Sequence, residues 1–159
     1  MPDLLRQLAE ATTGRARIPV HVTIDETGSS EATTSAERRE DSSAHALSPD
    51  VKIALYRIAQ EALNNIARHS GAGRAEVRFR RVGEIVTLEV RDDGRGFESS
   101  GAFAPEHLGL EIMRERAQAI GAKLEISADV GRGTRILVHV APDGSPDEMT
   151  PAATRVQTK

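Results

Sequence analysis

An alternating run of apolar and polar residues, 85–92, ends in the sequence Asp92-Asp93-Gly94-Arg95-Gly96-Phe97. Alternation with a period of two predicts a half-buried strand, so one sheet face needs a covering layer. An acid that leaves a strand into two glycines can accept hydrogen bonds from a ligand while bare backbone approaches closely. The alternative is an ordinary turn, since Asp-Gly pairs mark turns routinely. The pattern predicts a sheet, and it makes Asp92 a candidate ligand-binding residue.

Further strands and a second helix complete the predicted elements. Residues 75–82 alternate in the same way before the short turn Gly83-Glu84, which indicates a hairpin with 85–92. Strands are also predicted over 18–24, 123–127 and 134–140, and a helix over 108–120 with Gly121 as its C-cap. Pro19 favours an edge position or a strand start for the first of these strands.

The strongest helix prediction begins at Ser48-Pro49-Asp50, an N-cap followed by proline and an acid in the first turn. Apolar residues continue at helical spacing to Ile66, and Ser70-Gly71 is expected to end the helix. Four polar residues follow at helical spacing: Glu61 lies four residues before Asn65, and Arg68 and His69 lie three and four residues after it. This spacing predicts one polar ridge along the helix. A solvated helix face is the simpler interpretation, although asparagine is a poor mid-helix residue unless its amide is needed.

Helices mixed with antiparallel hairpins predict an α/β (α+β) two-layer sandwich, with a mixed, mostly antiparallel sheet and helices packed on one face. The 159 residues favour one domain. Residues 1–46 are expected to form a short N-terminal helix followed by a loose Thr12-Thr13-Gly14, then a first strand, then a mobile loop over 28–46. Residues 47–141 form the predicted core, and 142–159 a disordered tail.

Composition excludes several classes of function. The balance of 21 basic and 24 acidic residues gives a net charge of −3, so no global charge favours nucleic acid binding. The absence of cysteine excludes disulfides and thiolate metal sites, which fits a reducing compartment. No apolar run is long enough to span a bilayer, and no secretory leader pattern is present at the N-terminus. We therefore expect a cytoplasmic domain without membrane contact of its own.

Two further glycine motifs are weak when taken alone. His107-Leu108-Gly109-Leu110 enters a helix, where backbone N–H groups suit phosphate oxygens, but it also fits a routine helix start. Gly131-Arg132-Gly133-Thr134 fits a simple hairpin turn. Neither the dinucleotide-binding fingerprint nor a Walker-type loop is present, so any nucleotide is held in another way.

Taken in order, the four motifs resemble the ATP-binding domain of bacterial sensor histidine kinases, and more broadly the Bergerat-fold ATPases. The motifs are Glu-x-x-x-Asn-x-x-Arg-His, Asp-Asp-Gly-Arg-Gly-Phe, Leu-Gly-Leu-x-x-Met-Arg-Glu-Arg-Ala and Gly-Arg-Gly-Thr. The phrases from Tyr56 to Asn65 and from Met113 to Ala117 are closest to the nitrate-sensor type, and His107 is treated as a mark of that subtype. The resemblance covers roughly 47–140 and implies a Bergerat-type sandwich that binds ATP and Mg²⁺.

The resemblance also implies residue roles. Asn65 would ligate Mg²⁺, Glu61 would hold a water in the metal shell and serve as catalytic base, and Asp92 would accept a hydrogen bond from the adenine amino group. Gly94 and Gly96 would let backbone pass close to the base, and residues 98–108 would form the lid. The full set implied to bind the nucleotide is Asn65, Arg68, His69, Asp92, Gly94, Gly96, His107, Gly109, Leu110 and Thr134.

The implied reaction is transfer of the γ-phosphoryl group to a histidine. No segment resembles the dimerisation helix pair that carries the phospho-accepting histidine, so that domain of the parent kinase is the expected partner, and a response regulator is involved only indirectly. The isolated chain is expected to be a monomer that does not autophosphorylate. The alternative is an anti-sigma-factor-type serine kinase of the same fold, and a third possibility is a nucleotide sensor without turnover.

Overall fold

The computed structural model describes residues 1–27, 47–97 and 108–141. The predicted loop 28–46, residues 98–107 of the predicted lid and the predicted tail 142–159 lie outside these residues. The described elements are α1 (Pro2–Ala16), β1 (Val20–Thr27), α2 (Pro49–Asn65), a π-helical segment (Ile66–Ser70), β2 (Ala75–Val82), β3 (Ile85–Asp92), α3 (Leu108–Ala119), β4 (Lys123–Asp129) and β5 (Gly133–Val140).

The five strands form one mixed sheet in the order β1-β2-β3-β5-β4. β1 is parallel to β2, while β2 with β3, β3 with β5 and β5 with β4 are antiparallel. The predicted hairpin is confirmed, with Val82 opposite Ile85 and Gly83 at a φ of 60°. The edge position expected from Pro19 is also confirmed, because β1 begins immediately after it and pairs only with β2 among the described strands.

Alternation decides which sheet face is covered. Along β3, Val86, Leu88, Val90 and Asp92 are buried, and the residues between them are more exposed. The helices pack on this side: α1 contacts β1, α2 contacts β3, and α3 contacts β4. The core therefore lies between one sheet face and one helix layer, which confirms the predicted two-layer fold.

α2 begins as predicted, with the Ser48 hydroxyl accepting a hydrogen bond from the Val51 N–H at 3.2 Å. Its buried face is the predicted apolar stripe, made of Ala54, Leu55, Ile58, Ala59, Ala62 and Leu63. The α-helix ends at Asn65, and the last turn before Gly71 is π-helical. The prediction of one continuous α-helix to Ser70 is therefore wrong past Asn65, while Gly71 ends the helical stretch in the left-handed conformation as expected.

α1 is longer than its sequence pattern predicted. The prediction of a loose Thr12-Thr13-Gly14 is wrong, because the helix continues to Ala16 and ends at Arg17 with a φ of 57°. Thr12 is buried, and its hydroxyl donates to the Leu8 carbonyl at 2.8 Å. Burial of Leu5, Ala9 and Thr12 on one helical face outweighs the weak helix propensity of the threonines and glycine.

Within the described residues, no helix combines the length and apolarity that a transmembrane span requires. α2, at 17 residues, is the longest of these helices.

Two isoleucines on α2 provide a matched test of this packing. Ile58 is fully buried, whereas 59% of Ile53 is exposed. We expect Ile58→Ala to lower the free energy of unfolding by about 2–5 kcal/mol, because it leaves a cavity in the core. Ile53→Ala is expected to change it by about 0.5 kcal/mol or less. Urea denaturation followed by circular dichroism measures both; equal losses would contradict the assigned helix face.

Candidate functional site

The exit of β3 places one carboxylate inside the protein. Asp92 is the last residue of the strand, lies on the helix-covered face and is only 4% exposed. Its Oδ1 accepts a hydrogen bond from the Gly94 N–H at 2.8 Å. The backbone thus turns around its own acid as it leaves the sheet.

Burial raises the pKa of Asp92, while hydrogen bonds from the Gly94 backbone and from the backbone and hydroxyl of Thr134 oppose the rise. Asp93 next to it adds like charge in the same direction as burial. Thr134 therefore lies beside Asp92, as the resemblance implied. A buried carboxylate can still accept a hydrogen bond from a ligand N–H, and such a bond is stronger in a site shielded from water.

A second group of side chains lies at the end of α2, where it meets the beginning of α3. Glu61 and Asn65 are half-buried one turn apart, and Gly109 of α3 packs against both. A β-carbon placed on Gly109 would lie 2.5 Å from Glu61 Oε1 and 3.4 Å from Asn65 Nδ2. Residues from two separate motifs thus converge, and only glycine fits at position 109 without displacing the Glu61 carboxylate.

The other predicted nucleotide-binding residues near the end of α2 and the start of α3 do not share one environment. Arg68 and His69 are exposed and lie in the π-helical segment, so the predicted ridge has α-helical geometry only from Glu61 to Asn65. Leu110 is buried in the hydrophobic core, and its side chain packs with core residues. His107 lies outside the described residues, immediately before the exposed Leu108 that begins α3.

The glycines after β3 allow protein backbones to meet. A β-carbon on Gly94 would collide with the Ser70 carbonyl oxygen, and one on Gly96, at a φ of 60°, with that of Asp129. Gly133, at a φ of 84°, lies against the Asp92 carbonyl in the same way. Close backbone approach was predicted at Gly94 and Gly96 toward a base; the structure shows it toward Ser70 and Asp129.

These contacts join the two groups of side chains. The Arg95 N–H donates to the Ser70 carbonyl at 2.8 Å, and Ser70 ends the π-helical segment five residues after Asn65. The Arg95 carbonyl accepts a hydrogen bond from the Gly131 N–H at 2.7 Å, which ties the same turn to the β4–β5 connection. Asp92 and the end of α2 therefore border one region on the helix-covered side of the sheet.

Asp93 was not among the predicted site residues, yet it has a defined role in this junction. Its Oδ1 accepts hydrogen bonds from the N–H groups of Gly73 at 2.9 Å and Arg74 at 3.0 Å. The only signal in the sequence was its place, directly after the acid that ends the predicted strand. The partner loop could not be identified, because it lies some 20 residues earlier in the chain.

The donor set fits Mg²⁺ held largely by a bound nucleotide. In the parts of the chain that the structure describes, no cluster of three or more His, Asp or Glu residues could hold a metal alone. Mg²⁺ at nucleotide sites usually keeps several waters and needs only one or two protein oxygens besides the phosphates. The Asn65 amide and the Glu61 carboxylate supply oxygens of that kind on neighbouring turns.

Comparison with known proteins identifies the family. The profile of the "Histidine kinase-, DNA gyrase B-, and HSP90-like ATPase" family matches residues 50–144, more than half of the 159 residues. The chain belongs to this ATPase family. The match spans α2 to β5, and so includes both groups of side chains in this ATPase domain.

Relatives agree with this assignment. The domain is 40% identical over 95 residues to the sensor histidine kinase LiaS of Bacillus subtilis, an alignment that covers 60% of this chain and 26% of LiaS. It is 32% identical over 96 residues to the signal transduction histidine-protein kinase/phosphatase DegS of the same organism, covering 59% of this chain and 25% of DegS. The alignments thus span about a quarter of each relative. The resemblance to sensor histidine kinases is confirmed, while the nitrate-sensor subtype stays a prediction.

The fold has a solved counterpart. The histidine kinase domain of the Erythrobacter litoralis EL346 blue-light activated histidine kinase superimposes with a TM-score of 0.59 at 21% identity. The superposition covers 86% of this chain and 58% of that chain. The α+β arrangement is therefore that of histidine kinase ATPase domains.

Two glycines at the β4–β5 connection allow the energetic cost of backbone strain to be measured separately from the cost of close packing. Gly131 and Gly133 have φ values of 78° and 84°, but a β-carbon on Gly131 would meet no atom within 4 Å. We expect Gly131→Ala to cost about 1–2 kcal/mol of unfolding free energy through strain alone. Gly133→Ala is expected to cost about 1–3 kcal/mol more, because its methyl group collides with the Asp92 carbonyl. Chemical denaturation compares them, and equal costs would contradict the contact with Asp92.

Proposed function

We propose that this chain is the ATP-binding catalytic module of a two-component sensor histidine kinase, which binds Mg-ATP and transfers the γ-phosphoryl group to a histidine on a separate dimerisation domain. The observation that carries the proposal is the junction between two groups: the buried Asp92 with Thr134, and Glu61 with Asn65 and Gly109. The family match and the kinase relatives support it.

Base recognition falls to Asp92. Its carboxylate is fixed by the Gly94 N–H and lies beside Thr134, so it can accept a hydrogen bond from the adenine amino group. Thr134 would assist through a water. Guanine carries an acceptor oxygen where adenine carries its amino group, so a carboxylate at this point favours adenine.

Residues at the end of α2 and the start of α3 would bind the phosphates and Mg²⁺. Asn65 would ligate Mg²⁺ through its amide oxygen, and Arg68 and His69, both exposed, would face the phosphates. Backbone N–H groups at Gly109 would bind the phosphates, and Leu110 anchors this end of α3 in the core. His107, which lies outside the described residues, would also contribute to nucleotide binding.

Bound Mg-ATP supplies the phosphoryl group and neutralises much of its charge. Glu61, beside Asn65, would hold a water of the metal shell and accept the proton from the attacking histidine as general base. The domain's contribution is otherwise positioning, since phosphoryl transfer needs little covalent chemistry from the protein.

The same proposal includes the partners, the cellular location and the domain boundaries. The histidine-bearing dimerisation domain is the direct partner, a response regulator acts downstream, and the module works in the cytoplasm, where ATP is available. Residues 47–141 are the catalytic core, and residues 1–46 belong to the same domain. α1 supports this inclusion, because Arg15 donates to Asn64 Oδ1 of α2 at 2.7 Å.

Two substitutions test the binding roles separately. Asp92→Asn keeps an acceptor for the Gly94 N–H but can present an amide donor to the adenine amino group, so we expect loss of ATP and ADP binding. Asn65→Ala should weaken Mg-ATP binding more than metal-free ADP binding. Isothermal titration calorimetry measures both; equal losses for both ligands in Asn65→Ala would argue against a metal role.

The pH dependence of folding provides the control for Asp92→Asn. An acid whose pKa is raised in the folded state weakens folding as the pH climbs from its unfolded value through its folded value. Removing this charge should therefore leave the unfolding free energy at pH 7 equal or higher, even as binding is lost. A binding loss accompanied by unfolding would contradict a specific role in recognition.

Phosphoryl transfer is tested in trans. We expect the chain, mixed with radiolabelled ATP and a separately produced dimerisation domain of a related kinase, to place acid-labile phosphate on that domain's histidine. The chain alone should remain unlabelled, and Asp92→Asn is the inactive control. Acid-stable phosphoserine on a partner would instead support the serine-kinase alternative, and ATP binding without any transfer would support the nucleotide sensor.

A further inference from the structure

We propose that Asp93 is a positioning residue. It keeps the base-binding residue Asp92 and the metal-binding residue Asn65 at a fixed distance from each other in the nucleotide site. The inference rests on the proposed function, but it concerns a residue that need not touch the nucleotide. Its basis is a set of contacts between the turn after β3 and the loop that joins the π-helical segment to β2.

Four contacts connect Asp93, in the turn after β3, to Gly73 and Arg74 at the end of the loop next to β2. Asp93 Oδ1 accepts from the N–H groups of Gly73 and Arg74 at 2.9 and 3.0 Å, and Oδ2 lies 3.4 Å from Arg74 Nε. The Asp93 N–H donates back to the Arg74 carbonyl at 3.4 Å. A single side chain therefore orders two consecutive backbone N–H groups of a loop that contains two glycines, Gly71 and Gly73.

The other end of the loop meets the same turn. Ser70 accepts from the Arg95 N–H through its carbonyl and from the Ala72 N–H through its hydroxyl, at 2.8 and 3.0 Å. The Ser70 hydroxyl also donates to the Ile66 carbonyl at 2.7 Å, within the π-helical segment. The loop from Ser70 to Arg74 is thus bound to the turn after β3 at both of its ends, and the Ser70 hydroxyl connects it to Ile66.

This arrangement links the two candidate binding groups mechanically. Asp92 directly precedes Asp93, and Asn65 lies five residues before Ser70, next to Ile66, whose carbonyl accepts the Ser70 hydroxyl. If the Asp93 side-chain contacts are lost, the Gly73 and Arg74 N–H groups are released, while the hydrogen bonds from Arg95 to Ser70 and from the Asp93 N–H to Arg74 remain. Misplacement of this kind acts on binding without removing any group that contacts the ligand.

The chemistry of the side chain suits this role. Whereas Asp92 is buried, 45% of the Asp93 side chain is exposed, and its carboxylate binds the Gly73 and Arg74 N–H groups. Its pKa is lowered, chiefly by the hydrogen bond from the Arg74 backbone, as expected for an ionised acceptor with formed partners. An asparagine would keep an oxygen acceptor for both N–H groups, whereas an alanine would keep none.

The test compares D93A with D93N in the full chain. We expect D93A to weaken ADP and Mg-ATP binding about tenfold, the lower range for loss of an outer positioning partner. D93N should remain within about threefold of the wild type, because its amide oxygen can replace the carboxylate. In the same samples, hydrogen exchange of the Gly73 and Arg74 amides should accelerate in D93A and stay slow in D93N.

Two controls isolate positioning from charge and from stability. D3A removes an acid that also forms an ion pair, with Arg6 on α1, although 90% of the Asp3 side chain is exposed against 45% for Asp93; it should leave affinity unchanged. V138A removes a core side chain from β5, so it lowers stability without touching the fastened loop. Affinity loss in V138A equal to that in D93A would overturn the inference, because general destabilisation would then explain both. If D93A does not fold, D93S, which retains one hydroxyl acceptor, takes its place and should show a smaller loss than tenfold but faster amide exchange than D93N.

The outcomes distinguish the inference from the proposed function. If the wild type binds Mg-ATP and D93A binds it equally well, Asp93 is not a positioning residue, and the proposed function stands. If the wild type binds no adenine nucleotide, the proposed function fails and the inference falls with it. Weaker binding in D93A, restored in D93N and accompanied by faster exchange at Gly73 and Arg74, supports both.

Discussion

The close approach of two backbones, where Gly94 and Arg95 meet Ser70, is the constraint on which the rest of the site depends. It joins the end of the long helix to the exit of the central strand β3, although these segments come from different layers. A side chain at position 94 would separate them, because its β-carbon would collide with the Ser70 carbonyl oxygen. In the proposed function, Asp92 on one side of this contact and Asn65 on the other would bind one ligand only while the contact persists. The π-helical geometry between Ile66 and Ser70 belongs to the same junction, which agrees with the frequent occurrence of such turns at functional sites.

The two adjacent acids at the strand exit show how one backbone turn gives neighbouring carboxylates opposite tasks. Burial raises the pKa of Asp92, against the hydrogen bonds from Gly94 and Thr134, which favour its ionised form. For Asp93, backbone N–H groups lower the pKa, so its charge is stabilised within the folded chain. The division arises where the strand ends: Asp92 is the last residue of β3 on the buried face, and Asp93 follows it with its carboxylate bound to the Gly73 and Arg74 N–H groups. Binding sites commonly retain such locally unfavourable groups, at some cost in stability.

Much of the fold could be predicted from local patterns. The hairpin around Gly83, the capped start of α2, and the glycines Gly71 and Gly121 that follow the π-helical segment and α3 all follow from short-range preferences, and the structure confirms them. The predictions that failed involve contacts between distant segments. Thr12 to Gly14 were expected to be loose, yet burial of Thr12 in the helix layer extends α1. The ridge expected from Glu61 to His69 assumed an unbroken α-helix, and the π-helical segment changes its geometry after Asn65.

The sequence by itself determined which residues form strands and helices, which faces are apolar, and which acid leaves β3 into glycine, because these depend on periodicity and on backbone preferences within a few residues. The placement of Gly109 over Glu61 and Asn65, the pairing of Asp93 with Gly73 and Arg74, and the packing of Gly133 against Asp92 were decided only by the tertiary structure. Each of these contacts joins segments some 20 to 50 residues apart, and its existence depends on how layers pack and strands order themselves. Periodicity within a segment contains no information about which distant backbone will lie against it.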